Sequence, residues 1–189
     1  MQRKRQKKRT FFNERLFLQK NHRGQVWIET VIYTLIALLL IGAVLAFINP
    51  RIQEIQDKAV IDQSIEMLQN IDKVISSISG VPGNKRIIEI GIKRGDLFID
   101  SQGDKIVFEI ESQYDYSQEG ENISIGDIIL LTEKSGSSNK ITLTSYYSKY
   151  NLTYDGKEEL RKITRSSTPY KISIENKGGN KININFVII

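Results

Sequence analysis

The chain contains no cysteine and one histidine, His22. The first absence excludes disulfide scaffolds, thiolate zinc sites and cysteine nucleophiles, and it leaves the redox compartment unread. The second leaves no pair of imidazoles for a histidine metal cluster, and a Ser-His-Asp triad would have to take its base from the N-terminal stretch. Charge is missing over one long run: TVIYTLIALLLIGAVLAFI, from Thr30 to Ile48, has no ionisable acid or base beyond a tyrosine. What remains, 40% hydrophobic and 26% charged residues over 189 positions, is an ordinary globular composition with room for one domain and appendages. A multidomain enzyme is not expected.

Charge is segregated along the chain. From Met1 to Arg23 there are nine cations (Arg3, Lys4, Arg5, Lys7, Lys8, Arg9, Arg15, Lys20 and Arg23) against the single acid Glu14, which leaves 18 cations and 21 anions for the rest. The formal net charge of +5 therefore belongs to a short tail, and the body is mildly acidic. A nucleic-acid-binding domain carries basic residues on a folded face, interleaved with aromatics or placed for phosphates, and residues 24–189 lack that pattern. No nucleic-acid partner is expected.

The uncharged run is 19 residues long. At about 1.5 Å per residue it reaches roughly 28 Å as a helix, close to the hydrocarbon thickness of a bilayer. A buried core helix usually keeps a polar stripe, whereas here every face is apolar. Nine cations precede the run, while Arg51 and Lys58 follow it amid acids. The bias of positive charge toward the cytoplasm then puts the N-terminus inside and the body outside.

The junction decides what kind of span this is. A secretory signal peptide has a short apolar core followed by small residues at a cleavage site. Here the polar features come first, as His22-Arg23-Gly24-Gln25-Val26-Trp27-Ile28-Glu29, and the helical pattern continues beyond the span. Glu29 is the costly member, since a charge at a span centre costs about 2.5 to 3.5 kcal/mol on insertion scales and less near an interface. A cut between Gly24 and Gln25 supplies a reason for it. The new α-amine, with an ordinary pKa of roughly 7.7 to 8.0, is largely protonated at neutral pH, and Glu29 becomes the fifth residue, one turn away. Within one helix the two charges meet loosely. In a bundle, the carboxylate of one copy neutralises the amine of its neighbour and fixes the axial register, because a staggered pair leaves both charges unpaired in apolar surroundings.

Arg23-Gly24 before the cut, Gln25 after it, Glu29 at the fifth mature position and the apolar helix behind them resemble the prepilins of the type IV filament system, in particular archaeal type IV pilins and archaellins with class III signal peptides. The likeness covers about residues 20–50; Trp27 stands where many archaeal members carry serine. It implies a membrane-embedded aspartyl prepilin peptidase cutting after Gly24 on the cytoplasmic face, with Arg23, Gly24 and Gln25 as the processing residues. It also implies an assembly platform and ATPase in the membrane, and a filament whose core is built from many copies of the apolar helix, with Gln25 and Glu29 as assembly residues. The precursor would sit in the cytoplasmic membrane and the product at the cell surface. The competing reading of the same residues is an ordinary signal anchor: a single-pass, surface-exposed binding module that never polymerises, with Trp27 and Glu29 at the headgroup level. A membrane-tethered enzyme is a third reading, and it needs an acidic cleft that the pattern gives no reason to expect.

Beyond the span, Pro50 lacks an amide donor and predicts a kink near Ala46 to Pro50. Ile52, Ile55, Ala59, Ile61, Ile65, Leu68, Ile71, Ile75 and Ile78 then recur at three- and four-residue steps, apart from the two-residue step between Ala59 and Ile61. Glu54, Asp57, Lys58, Asp62, Glu66 and Asp72 fall largely on other faces. This amphipathic helix is expected to stop at Gly80-Val81-Pro82-Gly83 and to carry a head domain on its stripe between Ile52 and Ile78. A coiled-coil seam is the alternative use of that stripe. Residues 84–189 read as β-rich, with strands at Arg86 to Ile92, Asp96 to Asp100, Lys105 to Glu111, Asp127 to Thr132, Lys140 to Tyr147, Tyr170 to Glu175 and Lys181 to Ile189, separated by glycine-containing turns. Ile182, Ile184, Phe186 and Ile188 share one face of the last strand, Asn183 and Asn185 the other. The expected fold is α+β: a long bent N-terminal helix, transmembrane then amphipathic, packed on a C-terminal antiparallel β-sandwich or rolled-sheet head. The expected divisions are a leader at 1–24, a span at 25–49, an amphipathic segment at 50–80 and a head at 84–189.

The head offers little chemistry. Asp96, Asp100 and Asp104 are spaced too widely for a helix-loop-helix calcium loop and suit the flanks of a hairpin. Glu109 and Glu111 share a strand face, but paired catalytic carboxylates also need a cleft. Tyr146, Tyr147, Tyr150 and Tyr154 fit packing on half-exposed strands, with a carbohydrate or partner surface as the alternative. Asn122-Ile123-Ser124 and Asn151-Leu152-Thr153 are N-glycosylation sequons at or near expected loops, which makes Asn122 and Asn151 the candidate acceptors. No catalytic residue, metal site or cofactor is expected.

Overall fold

A computed structural model describes residues 22–189, with side chains from Val26 onward. The basic stretch before His22 lies outside the described residues. One helix, α1 (His22–Ser79), is followed by ten strands. The chain divides into two compact units, the second of which is Phe47–Ile189. Helix α1 runs without a break through Pro50. Proline at that position deprives the Ala46 carbonyl of its intrahelical donor.

In the second unit α1 supplies a stripe of fully buried side chains, Ile61, Leu68, Ile71, Ile75 and Ile78, with Ile65 nearly so. Their three- and four-residue spacing puts them on one helix face, and burial of each contributes about 2 kcal/mol. The covered stripe is shorter than the expected one: Ile52, Ile55 and Ala59 are exposed. Asp57 corrects the pattern in the other direction. Expected on a polar face, it is 1% exposed, where Arg94 and the Gln113 amide, the latter at 2.6 Å, donate to its carboxylate. Those two donors supply what burial would otherwise deny the charge.

The strands are β1 (Lys85–Ile90), β2 (Asp96–Asp100), β3 (Lys105–Ser112), β4 (Asn122–Ile125), β5 (Ile128–Ser135), β6 (Ser138–Tyr146), β7 (Tyr150–Tyr154), β8 (Leu160–Ile163), β9 (Tyr170–Gly178) and β10 (Ile182–Ile188). They form a four-stranded sheet in the order β1-β9-β10-β7 and a six-stranded sheet in the order β4-β5-β6-β3-β2-β8. Both sheets keep free edges, so the arrangement is sandwich-like and not a closed barrel. Their inner faces and the α1 stripe share one hydrophobic core that includes Phe108, Leu130, Leu143, Ile174 and Phe186.

The seven expected strands are present, with ends shifted by a few residues. Strands β4, β7 and β8 are additional to them. Asn122 reads as the end of a turn, and the polar edge strand β8, Leu-Arg-Lys-Ile, has no apolar alternation. In β7, Leu152, Thr153 and Tyr154 are buried consecutively, which hides the period of two. The sheets are also not wholly antiparallel, because β7 and β10 pair in parallel. The chain leaves β7 for β8 in the other sheet and returns through β9, a crossover long enough for parallel neighbours. Asn185, expected on the outer face of the last strand, is buried, and it accepts from the Thr153 hydroxyl at 3.0 Å and the Gly156 amide at 2.8 Å.

Candidate functional site

The first part of α1 contains the residues singled out by sequence. Arg23, Gly24 and Gln25 lie in its opening turn as backbone, and their side chains lie outside the described residues. From Val26 to Ile48 every side chain is exposed. Trp27, Leu39 and Phe47, which project in different directions around the helix, are each more than 70% exposed. An 18-residue window here has a mean hydropathy of 2.8, none of it buried, so this helix is long and apolar enough to cross a membrane.

The two threonine hydroxyls of the segment are satisfied locally. The Thr30 hydroxyl donates to the Val26 carbonyl at 2.9 Å, and the Thr34 hydroxyl to the Thr30 carbonyl at 2.7 Å. Hydroxyls turned back onto their own helix need no water, which suits a lipid surrounding. Glu29 has no such local satisfaction: it is exposed and has no salt-bridge partner among the described residues. It stands one turn beyond Gln25 on the continuous helix.

One feature of the segment was missed by sequence reasoning. Gly42 and Ala46 are four residues apart and so share a face, and a Cβ added at Gly42 meets nothing within 4 Å. The small-x-x-x-small spacing was the available signal, since it lets helix backbones approach closely in lipid.

The candidates in the head are scattered. Asp96 and Asp100 end β2, and Asp100 accepts from the Gln102 and Gly103 amides in the turn toward β3. Asp104 accepts from the Leu152 amide at 2.8 Å and pairs with Lys181. Glu109 pairs with Lys140 at 2.9 Å across β3 and β6, and Glu111 is exposed one pleat further along. The tyrosines do not form one surface: Tyr146 is exposed, Tyr150 half-buried, and Tyr147 and Tyr154 buried, with Arg161 stacked over the Tyr154 ring. Both sequons fall on edge strands and not in loops: Asn122 is exposed on β4, while Asn151 is half-buried on β7.

No protein-family model, no curated protein and no solved structure matches the chain.

Proposed function

We propose that the chain is the precursor of a filament subunit of the type IV pilin kind, held in the cytoplasmic membrane by the first part of α1 with the basic stretch inside. A prepilin peptidase removes the leader after Gly24. The apolar helices of many copies then pack into a filament core, in which Glu29 of one copy meets the Gln25 amine of another, and the β head faces outward at the cell surface. One observation carries this reading: a helix apolar on every face from Val26 to Ile48 is interrupted near its start by a carboxylate with no ion-pair partner among the described residues. Lipid accounts for the apolar faces, but a buried carboxylate requires a cation, and leader cleavage creates one a turn away.

The test is the N-terminal mass of the protein recovered from cells, together with imaging of cell-surface filaments that carry this chain. A mature chain beginning at Gln25 and present in filaments is the expected result. A chain that keeps its Lys- and Arg-rich start overturns the proposal in favour of a single-pass anchor for an external binding domain.

A further inference from the structure

The two sheets end in four edge strands, β1, β7, β4 and β8. Three of them are short or closed. Strands β4 and β8 have four residues each, and along β7 the Leu152 amide is taken by the Asp104 carboxylate and the Tyr154 amide by the Lys157 carbonyl. Strand β1, with six residues, is the longest of the four, and among the described residues it pairs only with β9.

Its open side follows from the ladder. The Asn176 amide donates to the Asn84 carbonyl at 2.9 Å, which aims that carbonyl at β9. Backbone groups alternate along a strand, so Arg86, Ile88 and Ile90 also bond toward β9, while the amides and carbonyls of Lys85, Ile87 and Glu89 face away from it. An unpaired row of this kind is a template for another strand. The side chains of the same three residues share the outer face of the sheet, because Ile88 and Ile90 turn into the core. Ile87 is 57% exposed, with Lys85 and Glu89 two positions to either side.

Charges on an edge usually discourage pairing, but here their order is self-complementary. In an antiparallel pairing centred on Ile87, Lys85 of each copy stands opposite Glu89 of the other. Within one copy Glu89 meets Lys171 at 3.7 Å, and Lys85 lies opposite Glu175. The row across the junction then alternates in sign: Lys171, Glu89, the second copy's Lys85 and its Glu175. A parallel alignment instead sets Lys85 beside Lys85 and Glu89 beside Glu89, and an antiparallel shift of two residues breaks both pairs. Backbone direction and charge select the same register.

We propose that β1 is an interaction surface for a second copy of this chain, joined in an isologous antiparallel pair that makes one continuous sheet across the two heads. In that register the outward amides and carbonyls of Lys85, Ile87 and Glu89 all find partners, the Ile87 side chains pack on each other, and both charge pairs close. The chain runs back along α1 from Asn84, beside the cap on Ile78, to Arg94 at Asp57. The two-fold therefore reverses this part of α1 between the copies. The contact joins heads that approach from opposite directions and is separate from any packing of parallel helices, so it does not depend on the filament reading.

The chain has no native cysteine, which makes disulfide trapping specific. The test uses the full-length chain in detergent, where copies are free to meet in either direction, treated with oxidised glutathione and read by non-reducing electrophoresis. Directly opposed residues of a hydrogen-bonded pair have Cα atoms about 5.5 Å apart, within disulfide range, so Ile87→Cys is expected to give a linked dimer. Lys85→Cys stands about 14 Å from its own copy and should not link alone, whereas a mixture of Lys85→Cys and Glu89→Cys chains should link. Adding Lys85→Glu to Ile87→Cys sets like charges in both pairs and should cut the linked fraction about tenfold, and further addition of Glu89→Lys should recover it. All three positions are exposed, and thermal unfolding checks that each variant keeps the fold. No linked dimer from folded Ile87→Cys, equal linking of Lys85→Cys alone, or a linked fraction indifferent to Lys85→Glu overturns the proposal.

Discussion

The side-chain amide of Asn176 on β9 caps the end of α1, donating to the Ile78 carbonyl and to the Ser79 carbonyl at 3.0 Å each. Its oxygen accepts from the Gly178 amide at 2.8 Å, and the residue is fully buried. The backbone reinforces the junction, since the Gly83 amide donates to the Asn176 carbonyl at 2.7 Å and the Asn176 amide to the Asn84 carbonyl at 2.9 Å. Helix ends leave carbonyls without partners, and α1 has no basic residue in its last turn to serve them.

Asn176→Ala is therefore expected to destabilise the head by about 2 kcal/mol, since it leaves the buried Ile78 carbonyl and the part-buried Ser79 carbonyl and Gly178 amide without this partner. Asn176→Asp should cost at least as much, because a carboxylate offers no donor and faces two carbonyl oxygens. Denaturant unfolding of the full-length chain, followed by tyrosine near-ultraviolet dichroism, measures both. Wild-type midpoints for the two variants would remove the capping role.

The stripe from Ile61 to Ile78 is legible because apolar residues repeating every three and four positions mark a single helix face, and the β2–β3, β5–β6 and β9–β10 hairpins are legible from their glycine turns, whereas the β4–β5 hairpin is not. The residues that resisted reading are those whose environment comes from distant chain. Asp57 looks like a surface charge until Arg94 and Gln113, far away in sequence, enclose it. Ile52 and Ile55 carry the right period but extend past the reach of the head, so periodicity alone overestimates the covered length. Asn176 falls just past the end of the expected strand Tyr170 to Glu175, and its capping of Ile78 is visible only in three dimensions. Glu29 and Gln25 are the reverse case: their spacing is plain in sequence, while their proposed partners belong to other copies of the chain.

Asp72 gives a pH dependence of definite sign. Its folded pKa is raised by burial and then by the charge of Asp127, so its protonated form favours folding. That contribution is fully present below the ordinary aspartate value of 3.8 and is lost as pH rises through the folded value. Asp72→Asn should thus raise stability at neutral pH, by less than about 1 kcal/mol because the site is partly solvated, and have no effect well below pH 3.8. Thermal unfolding across pH checks it; an equal gain at both ends would mean that the substitution acts through packing and not through charge.

The two sequons differ in access. Asn122, Ile123 and Ser124 are all exposed on an edge strand. In the second sequon Leu152 is fully buried, and the Thr153 hydroxyl is committed to Asn183 at 2.8 Å and Asn185 at 3.0 Å. If the head is exported as proposed, a glycan is expected on Asn122 and not on Asn151. Glycopeptide mass spectrometry of the native protein decides this, and Asn122→Gln should remove the added mass; a glycan on Asn151 would require modification before the head folds.

If the chain assembles as proposed, Glu29 supplies the sharpest separation between membrane insertion and assembly. Its carboxylate is exposed, and no described residue pairs with it, so the described fold does not depend on it. Glu29→Ala removes a cost of insertion and should leave membrane integration and cutting after Gly24 intact. The Gln25 amine of each neighbour would then enter the helix bundle without a counter-charge, which breaking a buried pair makes costly by about 3 to 5 kcal/mol per contact. Filament yield should fall steeply while the mature subunit accumulates in the membrane. Glu29→Asp keeps the charge but shortens the reach, and it should assemble partially. A bulky residue in place of Gly24 should act one step earlier, leaving a chain of precursor mass. Abundant, normal filaments from Glu29→Ala would show that apolar packing alone sets the register.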